Sequence, residues 1–160
     1  MENSIWKELE VDQSSVDSLV SECNIEEILA KLLVQRGIKS AKEVKKFLDP
    51  SLENICNPFK LKDIEKAVQR IEKAKRICIY GDYDVDGITS TSLLLKGLRY
   101  LGFNVDYYIP SRDEGYGLNK DALEQISKDY DLVITVDCGI SAVEEIDFAK
   151  TLKLDVIITD

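Results

Sequence analysis

Three aspartates fall within five residues of the stretch ICIYGDYDVDGITS, residues 77–90: Asp82, Asp84 and Asp86. Carboxylates this close repel one another unless a cation sits among them. Two more aspartates follow apolar runs further on, Asp137 in TVDCGIS and Asp160 in IITD. Hard divalent cations take carboxylate oxygens as ligands. Two such ions a few ångströms apart can clamp both oxygens of an in-line displacement at phosphorus. The chemistry on offer is therefore metal-assisted hydrolysis of a phosphate ester. The chain contains no histidine, which removes imidazole from the available bases and ligands. A role as helix cap would account for Asp86 or Asp137 singly, but not for three acids in five residues.

Three other readings of the stretch fail on spacing. Asp82 to Gly87 fits the first six positions of an EF-hand loop, but the twelfth position is Leu93 where a bidentate glutamate is required. The preceding segment also reads as an apolar strand, not a helix. A haloacid-dehalogenase-type D-x-D-x-[TV] motif would use Asp84 and Asp86, yet Ile88 stands where Thr or Val belongs. A phosphate-gripping loop needs more glycines than Gly81 and Gly87, and no G-K-[ST] follows.

The elements that must position these acids are legible from residue 76 onward. RICIY, NVDYYI, DLVITV and LDVIIT read as strands, apolar and β-branched in the main. Between them ITSTSLLLKGLRYLG, NKDALEQISKD and SAVEEIDFAKTLK read as helices. Apolar strands separated by helices predict a parallel sheet covered on both faces, an α/β doubly wound fold. In such sheets sites form at the carboxyl ends of strands. Asp82, Asp84 and Asp86 follow the first strand, Asp137 the third and Asp160 the fourth. The second strand runs into IPSRDEGYGLN, a glycine-bearing loop with Arg112. Arg112 is placed to contact a phosphate, or else to pair with Asp113 or Glu114. Thr89 and Ser90 are expected to open the helix after the first motif and either cap it or help hold phosphate there.

The first 60 residues read as a small helical unit and connector, with the acid-bearing α/β part over 61–160. Residues 1–20 are expected to be an extended lead-in. NIEEILAKLLVQRG is expected to start at Asn24 as N-cap, with Glu27 at the third position, and to end at Gly37. In SAKEVKKFLDP, Ser40 and Glu43 form a capping box and Pro50 stops the helix. SLENICNPF is a turn-rich connector, and KLKDIEKAVQRIEKAK is a third helix with Ile64, Ala67, Val68 and Ile71 on one face.

Composition narrows the class further. Of 160 residues 44% are hydrophobic and 32% charged, which suits a globular protein, and no apolar run approaches the ~20 residues of a membrane helix. MENSIWKELE carries an early acid and no apolar core, so a signal peptide is not expected and a cytoplasmic location is the default. The net charge of −9 does not advertise a nucleic-acid binder, although a carboxylate-based site itself contributes acid. The four cysteines, Cys23, Cys56, Cys78 and Cys138, form no C-x-x-C pair. Cys78 is expected to be a small buried hydrophobe and Cys138 a small residue at a tight strand end.

Taken in order, GDYDVDGITS, EGYGLN, TVDCGIS and the terminal IITD resemble the DHH phosphoesterase family, and within it the RecJ type of single-strand-specific 5′-to-3′ DNA exonuclease. NPFKLKDIEKAVQRI resembles the segment that leads into the first motif of that type. The resemblance spans roughly residues 40–160. It implies a site binding two Mn²⁺ or Mg²⁺ ions, with Asp82 and Asp84 as first-motif ligands, Asp86 nearby and Asp137 as the bridging ligand. It also implies that Asp160 is the Asp of the Asp-His-His motif, whose histidines would lie beyond residue 160. Asp82, Asp84 and Asp137 would then be catalytic, single-stranded DNA the substrate, and the 160-residue chain inactive by itself. Tyr80 stands where some members carry a histidine. Other DHH enzymes, acting on short oligonucleotides, cyclic dinucleotides or pyrophosphate, and a non-catalytic scaffold of the same fold are the alternatives.

Overall fold

Alternation along the first strand decides the layering of the domain. In the computed structural model, which describes Lys7 and residues 9–160, Ile77–Tyr80 (β1) is buried on both sides. Ile77 and Ile79 face one layer of helices, and Cys78 and Tyr80 face the other. Successive strand side chains point to opposite faces, so a run without polar residues can only sit inside a sandwich.

Three more strands, Val105–Tyr108 (β2), Leu132–Thr135 (β3) and Asp155–Ile158 (β4), run parallel to β1. The order across the sheet is β2-β1-β3-β4. Register places Tyr80 beside Tyr108 and Thr135, and Thr135 beside Ile158. The chain moves outward from β1 to β2, then returns to the other side of β1. The crevice between β1 and β3 is therefore the switch point at which ligands bind in doubly wound sheets.

The helices cover both faces. Ile64–Glu72 (α4) and Val85–Tyr100 (α5) contribute Ile71, Leu94, Leu95 and Leu98 to the face with Ile77, Ile79, Leu132 and Ile134. Lys120–Ile126 (α6) and Val143–Thr151 (α7) contribute Ala122, Leu123, Ile126 and Ala149 to the face with Cys78, Tyr80 and Val133. The doubly wound α/β expectation holds.

At the amino ends of the strands Arg70 of α4 acts as a staple. Its Nη2 donates to the Asp131 carbonyl (2.6 Å) and carboxylate (3.0 Å), and its Nε to Asp155 (2.6 Å). The other Asp131 carboxylate oxygen accepts from the Lys75 and Arg76 amides at 2.9 and 2.7 Å. This edge is closed by protein groups alone, which leaves the opposite edge for a ligand.

The chain divides into two compact units, Met1–Asn57 and Pro58–Asp160. In the first, Gln13–Cys23 (α1), Glu27–Gln35 (α2) and Ala41–Leu48 (α3) bury Val16, Leu19, Ala30, Leu33, Val34 and Val44 together. The extended lead-in expected over residues 1–20 is corrected from Gln13 on, where α1 begins; residues 1–6 and 8 lie outside the described ones. The amphipathic signal there is weak, and tertiary burial of Val16 and Leu19 carries the helix. Asn24 is also corrected. It ends α1 in the left-handed region (φ 51°), and Glu26 takes the N-cap of α2 without a side-chain cap bond. Gly37 closes α2 as expected, with Ile38 and Gly37 amides on the Leu33 and Val34 carbonyls. The Ser40–Glu43 capping box forms.

Candidate metal centre

The sheet ladder fixes where the acids stand. Beyond the strand ends, the Gly81 amide donates to the Tyr108 carbonyl (3.0 Å) and the Val136 amide to the Tyr80 carbonyl (2.9 Å). Asp82 and Asp137 thus leave adjacent parallel strands at the same level, two residues past each end. Asp137 has a left-handed backbone, φ 59°, which aspartate tolerates better than most residues. Ligand atoms of Asp82, Asp84 and Asp137 all lie within 4.8 Å of one another.

Each of the three carboxylates meets a different environment. Asp82 is 1% exposed, and its Oδ1 has no hydrogen-bond partner. An unpaired buried carboxylate oxygen costs several kcal/mol in the absence of a compensating charge. Asp84 is the N-cap of α5, with Oδ1 accepting from the Gly87 amide at 2.9 Å. The carboxyl of Asp137 is held above the usual aspartate range, first by desolvation and then by the charges of Asp84 and Asp86, a hydrogen bond with Asp84, and Asp82. Protons are thus being drawn to a site that a divalent cation would satisfy better. The donor set is all oxygen, which suits Mg²⁺ or Mn²⁺.

The remaining sequence candidates fall around this cluster. Asp86 sits in the first turn of α5, close enough to raise Asp137. Asp160 stands apart from the three, and its Oδ2 accepts from the Ile140 amide at 2.9 Å. Its field still reaches Tyr116 and Cys138. The expectation that Thr89 and Ser90 open the helix is corrected, because α5 begins at Val85 and both lie in its second turn. The Thr89 hydroxyl donates back to the Val85 carbonyl at 2.8 Å and so is turned into its own helix. The Arg112 guanidinium lies 4.9 Å from the centre of the Tyr83 ring. Cys138 is buried with its thiol pushed up to about 12, chiefly by burial, so it behaves as a small neutral residue and not as a thiolate ligand.

Several residues essential to the geometry escaped the sequence reading. Gly81 and Gly87 look too sparse for a phosphate loop, and their role is close approach. A Cβ on Gly87 would lie 2.4 Å from the Asp82 carbonyl oxygen, and one on Gly81 2.1 Å from Thr91 Oγ1. Tyr80, in the position that drew attention as a histidine substitute, is fully buried. Its hydroxyl donates to the Gly117 carbonyl (3.0 Å) and accepts from Asn119 (3.2 Å). Its ring stacks on Tyr108 at 5.2 Å. Tyr108 in turn donates to Glu114, whose carboxyl falls to about 2, first through that bond and then through the Ser111 amide. Two strand-tip tyrosines thereby hold the loop that carries Arg112 and Tyr116. Only aromatic residues at strand ends hinted at this in the sequence.

A parallel sheet with carboxylates converging past the tips of β1 and β3 places a candidate metal site on a doubly wound domain. Residues 76–160 match the model of the DHH family, N-terminal domain, and the chain belongs to that family. The single-stranded-DNA-specific exonuclease RecJ of Bacillus subtilis (strain 168) is 45% identical over 161 residues, covering 97% of this chain and 20% of that protein. The RecJ of Escherichia coli (strain K12) is 37% identical over 140 residues, 83% of this chain and 24% of that protein. The structure of Thermus thermophilus RecJ in complex with Mn²⁺ superposes with a TM-score of 0.60 at 29% identity, over 93% of this chain and 21% of that one. The chain thus spans about a fifth of the length of the curated relatives it matches.

Proposed function

We propose that this chain forms the first part of the catalytic domain of a two-metal exonuclease that degrades single-stranded DNA from the 5′ end. Residues 1–60 would be its helical lead-in and 61–160 the start of its phosphoesterase domain. The observation that carries this reading is the buried Asp82, whose Oδ1 has no hydrogen-bond partner and whose carboxylate clusters with those of Asp84 and Asp137. Similarity to proteins named as single-strand-specific exonucleases, and to structures described as manganese complexes, supports the substrate and the metal.

Asp82, Asp84 and Asp137 would hold Mn²⁺ or Mg²⁺, with Asp86 and Asp160 as further candidate ligands. When bound, the ions activate water and neutralise charge on the phosphodiester. The chain's own part is preorganisation. The α5 N-terminus fixes Asp84 through the Gly87 amide, and the β1–β3 ladder fixes Asp82 and Asp137. Arg112 would take a substrate phosphate, with its guanidinium resting on the Tyr83 ring. Thr89 turns its hydroxyl into its own helix, and Ser90 lies beside it in the second turn. A cytoplasmic location fits DNA processing, and among the described residues no helix is long and apolar enough to cross a membrane.

Three converging carboxylates supply only part of the coordination that two divalent ions require. The 160-residue chain alone is therefore expected to bind metal and not to digest DNA. Calorimetric titration with Mn²⁺ tests the first part. Binding by the wild type that is lost in Asp82→Asn supports the site, and absence of binding overturns it. Robust Mn²⁺-dependent digestion of single-stranded DNA by the purified chain would refute the second part.

A further inference from the structure

The loop after β2 presents a residue that the metal centre does not use. Tyr116 is 68% exposed, yet its hydroxyl is fixed, donating to the Asp137 carbonyl at 3.2 Å. It stands between Gly115 and Gly117, which have φ of 88° and 86°. Gly115 combines that φ with ψ −178°, a region essentially restricted to glycine. A Cβ at either glycine would meet nothing within 4 Å. Crowding therefore does not call for glycine here, but the direction of the chain does. That direction brings the Tyr116 hydroxyl to a residue of the metal cluster while its ring stays in solvent.

An aromatic ring with its polar atom anchored and its faces wet is preorganised to receive a flat apolar partner. Proteins that grip single strands combine a cation for the backbone with aromatic rings on which bases stack. The cation is on the same loop: Arg112 lies over Tyr83, the neighbour of Asp82. The loop is held rigid from beneath by Tyr80 and Tyr108.

We propose that Tyr116 is the stacking platform for the base of the 5′-terminal nucleotide, whose 3′-linked phosphodiester lies at the Asp82–Asp84–Asp137 cluster. This rests on the exonuclease reading and adds the contact that holds the base of the bound nucleotide. Stacking uses the face of the base and not its edge, so the platform accepts every base.

The test uses a 5′-phosphorylated, phosphorothioate-linked single strand with 2-aminopurine as its first base, added to the chain in Mn²⁺. Stacking quenches 2-aminopurine fluorescence. Quenching is expected with the wild type and with Tyr116→Phe, which keeps the ring, and its loss is expected with Tyr116→Leu. Affinity for the strand should fall about 10-fold in Tyr116→Leu, and about as far in the wild type when the first nucleotide is abasic. Wild-type binding without quenching, or quenching that survives in Tyr116→Leu, overturns the platform and leaves the exonuclease reading standing. Failure of the wild type to bind any single strand overturns that reading and the platform with it.

Discussion

The Cα of Gly87 faces the backbone of Asp82 so closely that a Cβ there would stand 2.4 Å from the carbonyl oxygen and 2.6 Å from the nitrogen. Backbone cannot swing aside as a flexible side chain does, so Gly87→Ala must move either α5 or Asp82. The overpacking is expected to cost about 1–3 kcal/mol of stability. Because Asp84 is tied to the same turn, Mn²⁺ affinity should fall at least tenfold. Denaturant melts and calorimetry check both. Normal metal binding in a stable variant would show that the α5 turn does not set the site.

Asp137→Asn should separate stability from function. Its carboxyl is held up by desolvation and by Asp84, Asp86 and Asp82, so its charge is unfavourable without a cation. Asparagine tolerates the left-handed backbone at that position. Without divalent ions the variant should therefore melt a few degrees higher than the wild type. With Mn²⁺ the order should reverse, because only the wild type gains stability by binding. Thermal scans with chelator and with Mn²⁺ measure the crossing.

Asp131 should govern part of the acid response. Desolvation opposes its charge, but the Arg76 amide, the Arg70 guanidinium and the Lys75 amide outweigh it and hold the carboxyl below its ordinary value. A depressed acid contributes stability above the unfolded-state pKa, roughly 3.9, and loses it as pH falls through the folded value. Asp131→Asn is thus expected to be destabilising at pH 7, with a penalty that shrinks below about pH 4. Urea melts across that range give the difference directly, and a penalty independent of pH would assign it to lost packing instead.

Tyr80→Phe should loosen the loop and spare the sheet. The ring stays buried against Tyr108, while the bonds to Gly117 and Asn119 are lost. A stability loss of about 1 kcal/mol is expected. Hydrogen exchange should quicken at residues 115–119 and stay unchanged in β1 and β3.

The doubly wound fold was legible because parallel strands buried on both faces are largely apolar, as ICIY and LVIT are, with Thr135 the buried polar exception. The acids at the strand tips were legible because three like charges in five residues are unfavourable without a counter-charge. What misled the reading was local. Asn24 has the chemistry of an N-cap, but it lies directly after α1 and terminates that helix in a left-handed turn. Residues 13–20 show little periodicity, and Val16 and Leu19 hold their helix only by packing against α2 and α3.

The sequence by itself determined the fold class, the acidic strand tips and the family, since each depends on residue type and spacing along the chain. Only the tertiary structure decided which carboxylates meet. Asp82, Asp84 and Asp137 converge because β1 and β3 are adjacent across the switch point, while Asp160, two residues past β4, bonds to Ile140 and stays outside the cluster. It alone decided that Gly87 is a contact surface for Asp82, that Tyr80 holds a loop, and that Tyr116 presents its ring beside the carboxylate cluster. These are relations between residues far apart in the chain or set by backbone direction, and no periodicity encodes them.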